Sequence, residues 1–479
     1  MVTGRLGVMA PQRATFKRLM GWGYRTLEDE LKTNAGWRWV SGIYGETVPR
    51  FQTIQTREAM LREPTLALIN RRVMACAMEL DLTTGKQLRK VAQPLERAAR
   101  LRGAMDSSAT DSDIHYPTDS GLLDDSARVL SRTFKRARKI VQPKDAEEKV
   151  WFREGGPSRG HRHRQAHRLA WKIAKQARKV AQPLERAARL RGAKTEKSSP
   201  KAYADLLKIV EVLIEQAQQV QLRLKKLTGY AAQKLWPLEG PLSSALEHYV
   251  PLVQQVVWQT RQRVINKLNV EASSKLLSLF EPHTAIIIRG KAKPKDVEFG
   301  HKVWFSEVEG GFISEYRISD GNPSDDRFVI PAIHHHRRLF GHVPVECAGD
   351  RGLHSANNER QVKALGVHGP AAGHLRVSLP MPGYKSESGP LRPRGPFEGL
   401  GHERKQFEHQ PWFRAAQRFR NGIEGRISQL RRARHLNRDT PLRGCCLNVG
   451  AFGFHRWIAW GVIANNIAIL ATHLAQANS

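Results

Sequence analysis

The chain has 479 residues, and its 78 Lys and Arg against 45 Asp and Glu give a formal charge of +33 at pH 7. A hydrophobic content of 40% supplies enough apolar side chains for packed cores and excludes wholesale disorder, while four cysteines are too few for a disulfide scaffold. Such a charge favours a polyanionic partner, most commonly nucleic acid. Residues 131–200 hold 21 Lys or Arg against six Asp or Glu, so the charge is concentrated there.

The first 88 residues predict a helical N-terminal region. Tyr24, Leu27 and Leu31 recur at helical spacing with acidic residues between them, which is typical of an amphipathic helix. Two further helical patterns follow at Thr53–Leu61 and Thr65–Leu80. Small basic helical clusters of this kind often bind DNA, and they are also the commonest small fold, so both interpretations stay open.

A basic helical pattern runs from 122 to about 275 and includes two amphipathic helices, Tyr203–Leu227 and Leu246–Val270. One segment of the chain is repeated, because Arg89–Ala104 recurs letter for letter as Arg178–Ala193. Two copies do not make a solenoid. A duplication in the DNA explains the identity, and a pair of basic helices that grip phosphates is the functional alternative.

The hydrophobic pattern changes from helical to alternating after Pro282. Val297–Val308 and Phe312–Ile318 flank a Glu-Gly-Gly turn and predict a hairpin. The predicted elements that follow are a helix at Pro331–Phe340, a strand at Val343–Asp350, a helix at Ala356–Leu365, a strand at Leu375–Leu379, and helices at about 412–434 and 455–475. This order predicts an α/β (mixed α+β) fold with a mixed sheet.

The last helix is apolar over Trp457–Ala471, but it is short for a membrane span and carries Asn465 and Asn466 at its centre. We therefore expect a buried closing helix and no membrane partner. The first residues contain no continuous apolar segment of the kind that signal peptides have, which predicts a cytoplasmic location.

Three acidic residues stand where they could take part in metal chemistry. Asp106 lies just ahead of the stretch IHYPTDS, Asp350 ends a predicted strand, and Glu424 shares a helix face with Arg420 and Arg431. Hydrolysis or transfer of a phosphodiester can proceed with two divalent ions and no protein nucleophile, and three carboxylates can hold two Mg²⁺ ions. Arginines can bind phosphate oxygens in a fork beside such a site.

Several stretches of the chain resemble a known family. They are Ile114–Leu122 (IHYPTDSGL), Phe280–Lys291 (FEPHTAIIIRGK), Val297–Val303 (VEFGHKV), Gly349–Asn358 (GDRGLHSANN), Gly383–Ser386 (GYKS), Trp412–Leu430 (WFRAAQRFRNGIEGRISQL) and Arg456–Asn466 (RWIAWGVIANN). On these stretches the chain resembles bacterial insertion-sequence transposases of the DDE type, and among them the ISNCY family group. The family signature Arg-x3-Glu-x6-Lys is matched by Arg420, Glu424 and Arg431, whereas Gln417 stands where the family has Tyr.

The resemblance implies an RNase H-like catalytic domain with a mixed sheet, a helical N-terminal region and a large basic helical insertion. The domains expected are a helical, DNA-binding region at 1–88, the repeated element and first catalytic strand at 89–121, the basic helical insertion at 122–278, and the RNase H-like core with closing helices at 279–479. The family strand that carries the first acid aligns with residues 105–114, where Ser107 and Ser108 replace residues of higher strand propensity.

The resemblance also implies a role for individual residues. Asp106, Asp350 and Glu424 are expected to be the catalytic acids and the ligands of Mg²⁺ or Mn²⁺, and Asp111 and Asp113 compete with Asp106 as the first acid. The residues expected to contact DNA are Arg289, Lys291, Lys302, Arg351, Arg420, Arg426 and Arg431.

The function that the resemblance implies is metal-dependent DNA strand cleavage and strand transfer at the ends of an insertion sequence. The enzyme is expected to bind double-stranded DNA, to form a homo-oligomer on it, and to associate with the nucleoid. A competing hypothesis is an inactive transposase remnant that only binds DNA through its basic surface, because the segment 90–104 and the stretches 389–401 and 445–453 depart from the family. A structural basic protein of RNA assemblies is a third hypothesis.

Overall fold

A computed structural model defines the architecture. It describes residues 10–45, 47–83, 87–95, 117–140, 200–225, 230–288, 297–365, 377–380, 383–384, 392–393, 404, 406–434, 436 and 450–477. These residues fall into two compact units, one drawn from 10–95 and 285–477 and the other from 117–284. The fold is a mixture of helices and a small mixed sheet, as the order of predicted elements indicates.

The N-terminal part of the first unit is helical. Its helices are α1 (Ala10–Met20), α2 (Tyr24–Thr33), α3 (Ala35–Val40), α4 (Phe51–Ala59) and α5 (Glu63–Glu79). The predicted stripe of Tyr24, Leu27 and Leu31 is confirmed, because all three side chains are buried in one cluster with Ile43 and Ile54. Burial of this stripe against the neighbouring helix supplies the apolar contact that holds α2 in place.

The second unit is a helical assembly. Its helices are α6 (Asp119–Ile140), α7 (Pro200–Lys225) and α8 (Tyr230–Thr260), and α8 continues into a π-helical turn at Arg261–Ile265. The apolar face of α7, from Leu206 to Val220, packs into a core with buried residues of α6 and α8. The predicted helix at Tyr203–Leu227 is therefore confirmed, and the one at Leu246–Val270 is confirmed as far as Thr260.

Among the described residues of the first unit, the main sheet has six strands. They are β1 (Gln87–Leu95), β2 (Ala285–Ile288), β3 (Val297–Val308), β4 (Ile313–Ile318), β5 (Glu346–Ala348) and β6 (Val377–Ser378). The two short strands β7 (Gly383–Tyr384) and β8 (Arg392–Pro393) pair separately. The predicted hairpin is confirmed as β3 and β4, and its turn needs glycine because Gly310 and Gly311 have φ angles of +79° and +81°.

The sheet is mixed, with the strand order β2-β3-β1-β5-β6 and β4 also paired to β3. The strands β1, β2 and β4 run antiparallel to β3. The strand β5 is parallel to β1, with Gln87 opposite Glu346, and β6 is parallel to β5. An antiparallel group thus adjoins a parallel pair, and β1 joins the two halves.

The repeated element contributes a strand next to β5. The two neighbours of β5 in the sheet are β1 and β6. The strand β1 begins at Gln87 and includes the first half of the repeated element, and its length lets it pair with β3 from Leu88 to Leu95. Asp106 and the rest of the expected strand lie outside the described residues.

The remaining helices close the first unit. They are α9 (Val329–Phe340), α10 (Ala356–Ala364), α11 (Pro411–Ala433) and α12 (Gly450–Ala477), and a 3₁₀ turn at Arg351–Leu353 follows β5. The predicted helices at 331–340, 356–365, 412–434 and 455–475 are confirmed within a few residues at each end.

Within the described part of the chain, Ala451–Gln476 in α12 is the one segment long and apolar enough to cross a membrane, and half of it is buried inside the fold. The fully buried Asn466 donates to Asn70 Oδ1 and to the Ile313 carbonyl at 2.9 Å each, and its Oδ1 accepts from the Ile313 amide. A helix whose centre hydrogen-bonds α5 and β4 is a core helix, so the expectation of a buried closing helix is confirmed.

Candidate functional site

The loop after β5 holds Asp350 in a fixed position. The Oδ1 atom of Asp350 accepts a hydrogen bond from the Gly352 amide at 3.1 Å and so caps the 3₁₀ turn. The preceding residue must be small, because a Cβ atom on Gly349 would lie 2.6 Å from Leu353 Cδ1 and 2.8 Å from Leu379 Cδ2. The sequence Gly-Asp-Arg-Gly therefore sets where the Asp350 carboxylate stands.

The helix α11 brings Arg420 and Glu424 to the same place. The Nη2 atom of Arg420 lies 3.3 Å from Glu424 Oε1 and 4.0 Å from Asp350 Oδ2. The Glu424 side chain is 60% exposed and the Asp350 side chain 31%, whereas Arg420 is 16% exposed. Two of the three acids that the sequence singled out therefore contact one guanidinium group.

Gln417 fastens α11 to the sheet one turn before Arg420. Its Nε2 donates to the Ser378 Oγ at 2.7 Å, to the Ser378 carbonyl at 2.9 Å and to the Gly349 carbonyl at 3.2 Å. Because Ser378 ends β6 and Gly349 follows β5, one amide ties the helix to both parallel strands. The glutamine that replaces the family's tyrosine thus has a structural role of its own.

An open cleft of about 620 Å³ lies between the loop after β5 and the first half of α11. Four arginines line it, Arg351, Arg414, Arg418 and Arg420, against the two acids Asp350 and Glu408. Arg351, Arg414 and Arg418 are exposed, and none of them has an ion-pair partner in the described part of the chain. The lining therefore carries excess positive charge, which suits an anionic ligand.

Two of the expected DNA contacts lie inside the fold instead. The Arg426 Nε is 3.3 Å from an oxygen of Glu307, which is fully buried on β3, and a Cβ on Gly311 would overlap the Arg426 guanidinium. Lys302 forms an ion pair with Asp325 and donates to the Pro323 carbonyl at 3.0 Å, with 13% of its side chain exposed. Both residues have a structural role, because each cation neutralises a buried or half-buried carboxylate.

The other expected site residues divide into two groups. Arg351 lines the cleft, whereas Arg431 is half-buried on α11, about 10 Å along the helix axis from Glu424, and is not part of the lining. Asp106, the competing Asp111 and Asp113, and the expected DNA contacts Arg289 and Lys291 lie outside the described residues. The structure thus brings together Asp350, Arg351, Arg420 and Glu424.

Asp325 is a carboxylate near the cleft that the sequence analysis did not single out. Its Oδ2 and the Asp350 Oδ1 both approach Gly352, at 3.1 Å and 3.4 Å from where a Cβ atom would stand. Burial raises the pKa of Asp325, the Lys302 ammonium opposes that rise, and the Asp350 carboxylate adds to it. The only sequence signal was a polar turn at Asn322–Asp326, which is typical of any loop.

The described residues do not by themselves complete the two-ion centre that the resemblance implies. Such a centre holds two divalent ions about 3.5–4 Å apart on several carboxylates. The described residues contain no group of three Asp, Glu, His or Cys placed to hold a metal ion. The space between Asp350 and Glu424 is occupied by the Arg420 guanidinium, which repels a second cation. We therefore derive no step through Mg²⁺ or Mn²⁺.

The carboxylates, the arginines and the amide of Gln417 come from the C-terminal ends of β5 and β6 and from one face of α11. Ligands of open mixed sheets bind at this edge. Comparison with protein-family models, with curated proteins and with solved structures finds no match for this chain.

Proposed function

We propose that this protein is a DNA-binding protein of the transposase type, in which the arginine-lined cleft binds the phosphodiester backbone. The observation that carries the proposal is the cleft itself, where three exposed arginines without an ion-pair partner in the described part of the chain surround a helix face. Half or more of the hydrogen bonds in protein–DNA complexes go to phosphate and sugar, and Arg is a principal donor. The formal charge of +33 supplies the long-range attraction.

The sheet supports the RNase H-like part of the proposal. The resemblance implies a catalytic domain with a mixed sheet, and the sheet of this protein combines an antiparallel group of strands with a parallel pair. The position of the cleft agrees with the proposal as well, because the acid-bearing loop follows the first of the two parallel strands and faces α11. A fold supports a function only as an analogy, so the charge of the cleft remains the main argument.

The test measures affinity for a short duplex DNA as a function of salt. The logarithm of the association constant is expected to fall linearly with the logarithm of the salt concentration, by about 0.9 per phosphate neutralised. The double variant Arg414→Ala/Arg418→Ala should reduce that slope by about 2. Arg432→Ala is the matched control, because Arg432 is exposed on the same helix but does not line the cleft. Equal slopes in all three proteins would contradict a DNA-binding cleft.

Metal-dependent strand cleavage and transfer is the second candidate function. The observation that favours it is the meeting of Asp350 and Glu424, the second and third acids of the expected triad, at one guanidinium. Under this candidate the chain nicks supercoiled plasmid in Mg²⁺ or Mn²⁺, and Glu424→Gln abolishes the nicking. Absence of nicking in the wild-type chain under conditions where it binds DNA would leave binding alone as its activity.

A further inference from the structure

We infer that the cleft is a phosphate-binding site that works without a divalent ion, because Arg420 holds the place between Asp350 and Glu424. The inference rests on the proposed DNA-binding function and specifies its chemistry. A phosphodiester is the ligand class, and the guanidinium takes over the charge compensation that metal ions give in a two-ion centre.

The first argument for the inference is the position of the Arg420 guanidinium. Its Nη2 contacts both carboxylates, and its Nε is buried with no hydrogen-bond partner among the described residues. A buried donor without a partner calls for an acceptor such as a phosphate oxygen or a water molecule. The guanidinium thus has one donor without an acceptor, while its Nη2 lies between the two carboxylates.

The balance of charge carries the second step. Asp350 and Glu424 would repel a phosphate if they stood alone, and Arg420 compensates part of their charge. The exposed guanidinium groups of Arg351, Arg414 and Arg418 then remain available for the ligand. The cleft thus presents a net positive surface, and Arg420 compensates part of the charge of Asp350 and of the neighbouring Glu424.

The sheet carries the third step, because neither strand beside β5 brings a carboxylate to Asp350. The pairing of β1 with β5 places Arg89 opposite Ala348, two residues before Asp350. No Asp or Glu occurs anywhere in Gln87–Leu95, nor in the two residues of β6. The strand that the repeated element forms beside β5 is therefore free of acidic residues.

The experiment uses the full chain and a fluorescently labelled short duplex DNA, with anisotropy recorded at constant ionic strength in EDTA and in Mg²⁺. The wild-type affinity is expected to be equal in the two buffers, within about twofold. Arg420→Ala leaves two carboxylates uncompensated, so its affinity should fall by about tenfold in EDTA and recover in part in Mg²⁺. Arg420→Lys keeps a cation and should stay close to wild type in EDTA, and Arg432→Ala should behave as wild type in both buffers.

A second readout is independent of DNA. Titration with Mn²⁺ alone, followed by electron paramagnetic resonance, should show no tight site in the wild-type chain and a new site in Arg420→Ala. Circular dichroism verifies that each variant is folded. Wild-type binding that is lost in EDTA, or an Arg420→Ala variant that is indifferent to both buffer and Mn²⁺, overturns the inference. Absence of DNA binding by the wild type in either buffer instead overturns the proposed function on which the inference rests.

Discussion

Arginine–carboxylate pairs occur on both faces of α11, but the two faces differ in how far the carboxylates are buried. On the outer face, Arg420 contacts Glu424 and Asp350, whose side chains are 60% and 31% exposed. On the inner face, Arg426 pairs with Glu307, which is fully buried on β3. Burial of the carboxylate therefore decides whether an arginine holds the fold together or stays available to a ligand, since water screens the outer pair and not the inner one.

The largest effect is expected from Arg426→Ala. Removal of the guanidinium leaves Glu307 buried without its cation, which costs about 3–5 kcal/mol of the free energy of unfolding. Arg420→Ala disrupts only exposed or half-exposed partners and should cost about 1 kcal/mol or less. Denaturant titration monitored by tryptophan fluorescence measures both. Similar losses in the two variants would contradict the distinction between the two faces.

The second prediction concerns two glycines that border these residues. Gly349→Ala forces a methyl group against Leu353 and Leu379 and should cost about 1–3 kcal/mol of the free energy of unfolding. Gly425→Ala, between Glu424 and Arg426, meets nothing within 4 Å and should stabilise the helix by about 0.5–1 kcal/mol. Thermal denaturation provides the measurement. A neutral Gly349→Ala variant would show that the loop carrying Asp350 is not held by close packing.

The third prediction concerns the attachment of α11 to the sheet. Gln417→Ala removes the hydrogen bonds to Ser378 and to the Gly349 carbonyl and should lower the free energy of unfolding by about 1–2 kcal/mol. Because the helix then loses its position relative to Asp350, DNA affinity should fall as well. Asn421→Ala is the control for stability, since Asn421 makes no contact with the sheet among the hydrogen bonds described, and Arg432→Ala, outside the cleft, is the control for affinity. If Gln417→Ala lowers stability but leaves DNA affinity unchanged, the hydrogen bonds of Gln417 hold α11 to the sheet without influencing DNA binding.

Local patterns predicted most of the helices and the hairpin, because helical spacing and alternation are properties of neighbouring residues. The spacing of Arg420 and Glu424 on one helix face also required only local information, and their contact is confirmed. The meeting of Glu424 with Asp350 was expected from the family resemblance, and the 4.0 Å approach of Arg420 to Asp350 agrees with it.

The position of β1 in the sheet and the burial of Arg426 depend on contacts between segments that are distant in the sequence, so local patterns did not predict them. No local pattern in Gln87–Leu95 predicted a strand paired with β5, because strand pairing depends on the whole sheet. The inner position of Arg426 was equally hidden, because it follows from the burial of Glu307 on a strand more than a hundred residues away. Whether a charged residue on a helix binds a ligand or forms an ion pair in the core can be decided only when its partner is known.

A final, smaller effect is expected from pH on the cleft side of the first unit. Burial lowers the pKa of His354, with Arg404 adding to the shift and Glu359 and Glu408 opposing it. The unfolded chain therefore binds a proton at a higher pH than the folded chain, so the stability that the neutral imidazole contributes is present above pH 6.5 and is lost as pH falls through the pKa of the folded state. His354→Gln should flatten the decline in stability between about pH 7 and 5. Denaturant midpoints across that range measure the slope, and between pH 8 and 9, where histidines are neutral, the variant and wild-type slopes should coincide. A variant that declines as steeply as the wild type below pH 7 would show that this buried imidazole does not govern the acid sensitivity of the loop beside the cleft.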